Sequence, residues 1–125
     1  SMLTNGNSQP LISIKKELDA YFAGTLKTFH TPLSLTGTHF QNQAWEVLRQ
    51  IPYGHTKSYR EQAIALGHPM AYRAVANANG SNHLAIILPC HRIINTNGNL
   101  GGYGGGIARK KWLLELEQKF RNVPL

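Results

Sequence analysis

SYREQAIALGHPMAYRAVANANG, residues 58–80, decides the fold. Ser58 and Glu61 have capping-box spacing, in which each side chain satisfies the other's backbone N–H. The box opens a short helix through Ala63, Ile64 and Leu66, and Gly67-His68-Pro69 breaks it. Met70 to Asn79 is alanine-rich and helical, with Gly80 as its stop. Two short helices joined by a tight turn containing Gly are the sequence form of a helix-turn-helix. Unrelated helical hairpins share that pattern, so the flanks decide its meaning.

Upstream, Thr38-His39-Phe40-Gln41 is a second capping box. Phe40, Ala44, Val47, Leu48 and Ile51 form one apolar stripe, which Pro52 ends before the turn Tyr53-Gly54-His55. Further back, Ile14, Leu18, Tyr21 and Phe22 predict an amphipathic helix ending at Gly24. Residues 25–37 read as a connector, residues 3–10 as a flexible lead-in, and Ser1-Met2 as a cloning remnant. Downstream, Leu84 to Leu88 predicts a buried strand stopped by Pro89. Ile93-Ile94 and Leu100 flank Asn95 to Asn99, and the pair Asn97-Gly98 predicts a hairpin or wing. The glycine-rich loop from Gly101 to Gly106 leads into a last helix carrying Trp112, Leu113, Leu116 and Phe120. The expected fold is α/β, mainly α: a winged-helix-like helix-turn-helix domain with a small β hairpin and a C-terminal helix.

A chain of 125 residues, 42% hydrophobic, is long enough for one domain with a core. No apolar run approaches the roughly 18 residues of a membrane span, and the polar N-terminus lacks a signal peptide's apolar region. One cysteine excludes an intramolecular disulfide and fits a reducing compartment. Thirteen Lys+Arg against six Asp+Glu give a net charge of +7 and a pI near 9.9, which points to a polyanionic partner, nucleic acid first.

That cysteine, Cys90, stands between Ile86-Ile87-Leu88-Pro89 and His91-Arg92. Thiolate is the nucleophilic form, and nearby imidazole or positive charge lowers a thiol's pKa. The stretch therefore predicts an activated sulfur at a strand end, against the alternative of a small core cysteine beside a surface histidine. Arg73 lies among small residues on the second helix, where a close partner surface competes with plain solvation. The glycine-rich loop has neither a dinucleotide fingerprint nor a Walker lysine. It reads as backbone that must approach something flat and bulky, with Tyr103 in the middle. The six histidines (30, 39, 55, 68, 83 and 91) are scattered and no pair has metal-ligand spacing, so no metal is expected. A cysteine protease would place its histidine far away in sequence, whereas His91 is adjacent.

Pro89-Cys90-His91-Arg92-Ile93 resembles the active-site motif of the O6-alkylguanine-DNA alkyltransferases. The likeness runs from about Thr38 to Phe120. It takes in Ile51-Pro52-Tyr53-Gly54, Ser58-Tyr59, Tyr72-Arg73-Ala74-Val75, Asn82, Gly102-Tyr103-Gly104-Gly105-Gly106 and Lys110-Lys111-Trp112-Leu113-Leu114. The chain departs from the family pattern at His83, where proline is common. It also carries Gly104 in place of a larger residue and a bulky Tyr72 before Arg73.

The resemblance implies stoichiometric DNA repair, with an alkyl group passing from guanine O6 to Cys90 and no cofactor. Its partner would be double-stranded DNA containing O6-alkylguanine, entered from the minor groove with the damaged base flipped out. His91 would take the thiol proton through a water, Glu117 would orient His91, and Asn82 would brace the site. Tyr59 would rotate the phosphate and bond the guanine ring, the Ile93 carbonyl would read the guanine amino group, Tyr103 would bind substrate, and Gly104 would lie next to the alkyl group. Arg73 would be the finger that replaces the flipped base, with Tyr72, Ala71, Ala74, Arg60 and Gln41 also on DNA. Residues 1–37 would be an N-terminal helix and linker, a remnant of or substitute for the α/β domain of longer members, and residues 38–125 the catalytic DNA-binding domain. A monomer without membrane contact is expected, cytoplasmic in a bacterium or nuclear in a eukaryote. Two rivals are an alkyltransferase-like protein that flips guanine without repair, which lacks the cysteine, and a winged-helix transcription factor, which usually reads the major groove.

Overall fold

The computed structural model describes residues 8–82 and 84–122. Ser1-Met2, most of the expected lead-in, and the departure at His83 lie outside the described residues. Helix α1 spans Ser8–Phe22, so residues 8–10 belong to a helix and not to a lead-in. Helix α2 (His39–Arg49), strand β1 (Lys57–Ser58), α3 (Tyr59–Ala65), α4 (Tyr72–Gly80), a 3-10 turn at Cys90–Arg92, β2 (Ile93–Ile94) and α5 (Ile107–Phe120) follow.

Both capping boxes form as expected. The Thr38 hydroxyl accepts from Gln41 N while the Gln41 side chain accepts from Thr38 N, and Ser58 and Glu61 do the same for α3. After α3 the chain turns through Gly67 at φ 78, a left-handed conformation that a side chain resists. Helix α4 packs on both α2 and α3, giving the helix-turn-helix. It starts at Tyr72, later than expected, and runs through Gly80 to a cap at Ser81.

Buried polar pins lock these three helices together. Gln62 and Asn79 exchange amide hydrogen bonds at 2.9 and 2.8 Å, Gln62 also donates to Ala44 O, and Trp45 Nε1 donates to Ala78 O. Asn79→Leu leaves Gln62 Oε1 buried without its donor, and should lower unfolding free energy in urea by about 1–3 kcal/mol. The core beneath them is Trp45, Leu48, Ile51, Leu88 and Ile93. Trp45 was absent from the expected stripe, while Phe40 and Val47 are only partly buried.

Two expected β features do not form. Leu84 to Leu88 is a tight turn with one bridge between Ala85 and Leu88; Leu88 N donates to Leu84 O, and Ile86 sits at φ 77. Five residues that must bring an apolar run back on itself have no neighbouring strand to pair with. Asn95 to Asn99 does make a turn, closed from Asn95 N to Asn99 O, with Gly98 at φ 89. Among the described residues no strand returns from it to make a hairpin. Instead β2 pairs in parallel with β1, Lys57 beside Ile93 and Ser58 beside Ile94. That clamp ties the start of α3 to the residue that follows Cys90–Arg92. Among the described residues no helix is long and apolar enough to cross a membrane.

Candidate active site and nucleic-acid interface

Cys90 opens the 3-10 turn and lines a cleft of about 830 Å³. The volume suits a small-molecule-sized group. Tyr59, Arg60, Tyr72, Arg73, Tyr103 and Gly104 line the cleft with it, so the helix-turn-helix forms one wall and the glycine-rich loop another. Asn82 Nδ2 donates to Leu88 O at 2.9 Å and lies 3.5 Å from Cys90 Sγ, while Asn82 Oδ1 accepts from Leu84 N. Asn82 thus holds both ends of the 84–88 turn that leads into the thiol. Ala71 caps α4 and Ala74 is exposed on it. The Ile93 side chain is buried in the core, and the Gln41 side chain is used in the α2 cap and does not line the cleft.

Behind the thiol the chain buries charge. Glu117 is 1% exposed and accepts five hydrogen bonds. They come from His91 Nε2 at 2.6 Å, Arg92 Nε and Nη2 at 2.9 Å, Tyr21 Oη at 2.7 Å and Gly54 N at 3.0 Å. Burial alone would raise its pKa, but the bonds from His91 and Arg92 win and hold it at about 2. An ionised carboxylate only accepts, so His91 Nε2 carries the proton. Nδ1 then bears a free lone pair, and it is buried with no partner among the described residues. Burial lowers the pKa of His91 against the pull of Glu117, so the ring is neutral at pH 7 with Nδ1 open to accept a proton.

The thiol itself departs from the expected activation. Burial pushes the Cys90 pKa up, opposed by the Asn82 amide and the Lys110 charge. Resting Cys90 is a thiol, and its reaction needs a base. Lys110 had no assigned role in the sequence. It is fully buried, and its Nζ donates to Leu100 O and Gly102 O, which pins the glycine-rich loop. Burial lowers its pKa to about 8. Lys110→Met should raise the Cys90 pKa further and slow iodoacetamide labelling near neutral pH by about 3–10-fold, half to one pKa unit.

Arg60 and Arg73 are exposed and make no hydrogen bond or ion pair with the described residues. No group of three His, Cys, Asp or Glu able to hold a metal occurs among those residues.

A helix-turn-helix set against a cleft that ends on a histidine-backed cysteine defines the class: a helix-turn-helix domain built around a cysteine site. The profile of the 6-O-methylguanine DNA methyltransferase, DNA binding domain, matches residues 39–119, and the chain belongs to that family. It is 57% identical over 102 residues to the methylated-DNA--protein-cysteine methyltransferase of Mycobacterium tuberculosis, covering 82% of this chain and 62% of that protein. The chain therefore spans less than two thirds of that curated relative. The crystal structure of M. tuberculosis OGT in complex with DNA superposes with a TM-score of 0.84 at 54% identity, over 86% of this chain and 66% of that one. S. pombe Atl1, in complex with damaged DNA containing O6-carboxymethylguanine, superposes with a TM-score of 0.58 at 30% identity, over 66% of this chain and 79% of that one.

Proposed function

We propose that this chain repairs O6-alkylguanine in duplex DNA by moving the alkyl group to Cys90 Sγ, once per molecule and without a cofactor. The single observation that carries this is the buried His91–Glu117 pair next to a half-buried thiol that lines a cleft walled by the helix-turn-helix. Sγ forms a bond to the alkyl carbon as the bond from that carbon to guanine O6 breaks. The thiol proton passes through one water to His91 Nδ1, and the departing guanine recovers a proton from solvent. Sulfur keeps the alkyl group, so the site is spent.

Contact with DNA would run through the exposed face of α3 and α4. Net charge of +7 supplies phosphate affinity with little sequence preference. Arg73 enters the duplex as the finger, Tyr72 and Arg60 flank it, and small Ala71 and Ala74 allow close approach. The relatives solved with DNA support this reading. A flipping protein without transfer is the alternative, and Cys90 with its base argues against it.

Arg73→Ala tests the assignment of flipping. Extruding a base costs a few kcal/mol, and a free alkylated base escapes that cost. The variant should react almost normally with O6-benzylguanine and with single strands, but much more slowly with duplex. The duplex defect should shrink when the damaged guanine faces a mismatch. Equal losses on free base and duplex would place Arg73 in the folding of the site.

A further inference from the structure

Tyr21 lies on α1, outside the matched residues 39–119, yet its side chain is fully buried against the catalytic turn. Its hydroxyl donates at 2.7 Å to Glu117 Oε2, the same oxygen that accepts from His91 Nε2. Tyr21 also packs edge-on to Tyr53, whose ring lies under the Arg92 guanidinium at 5.6 Å. Helix α1 is anchored for this contact. Gly24, at φ 79, approaches the Phe120 ring of α5 so closely that a Cβ would lie 2.6 Å from it. Phe22 meets Trp112 on the same helix, and Glu17 holds the following connector through His30 N and Thr31 N.

We propose that Tyr21 is a positioning residue that sets the basicity of His91 by sharing the carboxylate oxygen to which His91 is bonded. A carboxylate oxygen has limited electron density to give. Each added donor weakens its hold on the others, and a weaker hold makes imidazolium less favourable. Tyr21 thus keeps His91 neutral and ready as a base. Other charges face the pair as well. Arg92 comes from the 3-10 turn, Lys110 lies nearby on α5, Lys27 sits over Tyr53 from the connector, and Cys90 precedes His91 in the turn. None of these donates to Glu117 Oε2 except Arg92 Nη2, whose charge is fixed. Tyr21 is therefore the neutral donor through which α1 tunes the relay.

The inference rests on His91 acting as the base, but it can be read without any DNA reaction. Tyr21→Phe removes one oxygen. In the variant the His91 Nε2–H proton resonance should move further downfield at fixed pH, because Glu117 binds it more tightly. The pH midpoint for iodoacetamide alkylation of Cys90 on the acid side should rise by about half a unit to one unit. At alkaline pH the two proteins should alkylate alike. Fluorotyrosine at position 21 makes a stronger donor in the same place, and should move both readings the other way; it also serves if Tyr21→Phe folds poorly. A resonance and midpoint unchanged in both variants, with or without a uniform loss of rate or stability, overturns the proposal and leaves Tyr21 as packing alone. Failure of the repair reading would show separately, as a wild-type protein that does not accept an alkyl group from DNA.

Discussion

Glu117→Gln should destabilise the fold by about 3–5 kcal/mol, because it leaves Arg92 buried with no counter-charge. The guanidinium cannot escape: it is also held by Ile51 O at 2.7 Å and is almost fully buried. Urea titration at neutral pH measures the loss. Acid reads the same carboxylate independently. Its folded pKa of about 2 lies below the ordinary 4.5. A depressed carboxylate contributes stability that is complete above the unfolded pKa and is lost as pH falls through the folded one. Wild type should therefore lose about 3 kcal/mol between pH 4.5 and 2 from this group, and Glu117→Gln should lack that acid transition. Adding Arg92→Met removes the stranded charge and should restore much of the neutral-pH stability. A Glu117→Gln protein as stable as wild type would mean that the buried pair is not holding the site.

His91→Ala should slow transfer by about 10²–10⁴-fold, the usual worth of a positioned base. DNA affinity should stay near wild type, because His91 is fully buried and cannot reach a phosphate. The pH profile distinguishes a lost base from a damaged fold. In wild type the rate should fall only below the ordinary pKa of histidine, about 6.5, since burial lowers that of His91. Without the ring, transfer should follow thiol ionisation alone and climb steadily into alkaline pH, because the Cys90 pKa is raised. Single-turnover rates from acid to alkaline pH on one duplex would show it. Matching profiles in both proteins would remove His91 from the reaction.

Much of this was legible in the residues. The two capping boxes announce α2 and α3 because the pairing is local, three residues apart, and owes nothing to distant structure. Gly67 and the small residues of α4 mark the helix-turn-helix for the same reason. Around Cys90 the motif showed which groups stand near the sulfur but not their electrostatics. Whether a thiol is raised or lowered depends on burial against charge, and burial is a property of the fold. The β segments misled because period and turn signals do not say what a strand pairs with. Ile93-Ile94 found a parallel partner 36 residues upstream, while the apolar run before Pro89 found none and turned. Lys110 and Tyr21 were hidden altogether. A lysine beneath a loop and a tyrosine on an amphipathic stripe look like solvated charge and plain core until contacts across about 10 and 96 residues are seen.

Under the proposed transfer, Cys90 keeps the alkyl group. Intact mass after incubation with excess duplex containing O6-methylguanine, followed by peptide mapping, tests it most directly. The protein should gain one methyl group, on the peptide carrying Cys90, and restored guanine should stop accumulating at about one equivalent. Cys90→Ser should gain none. Continued turnover, a methyl group on another residue, or methylation of Cys90→Ser would contradict it.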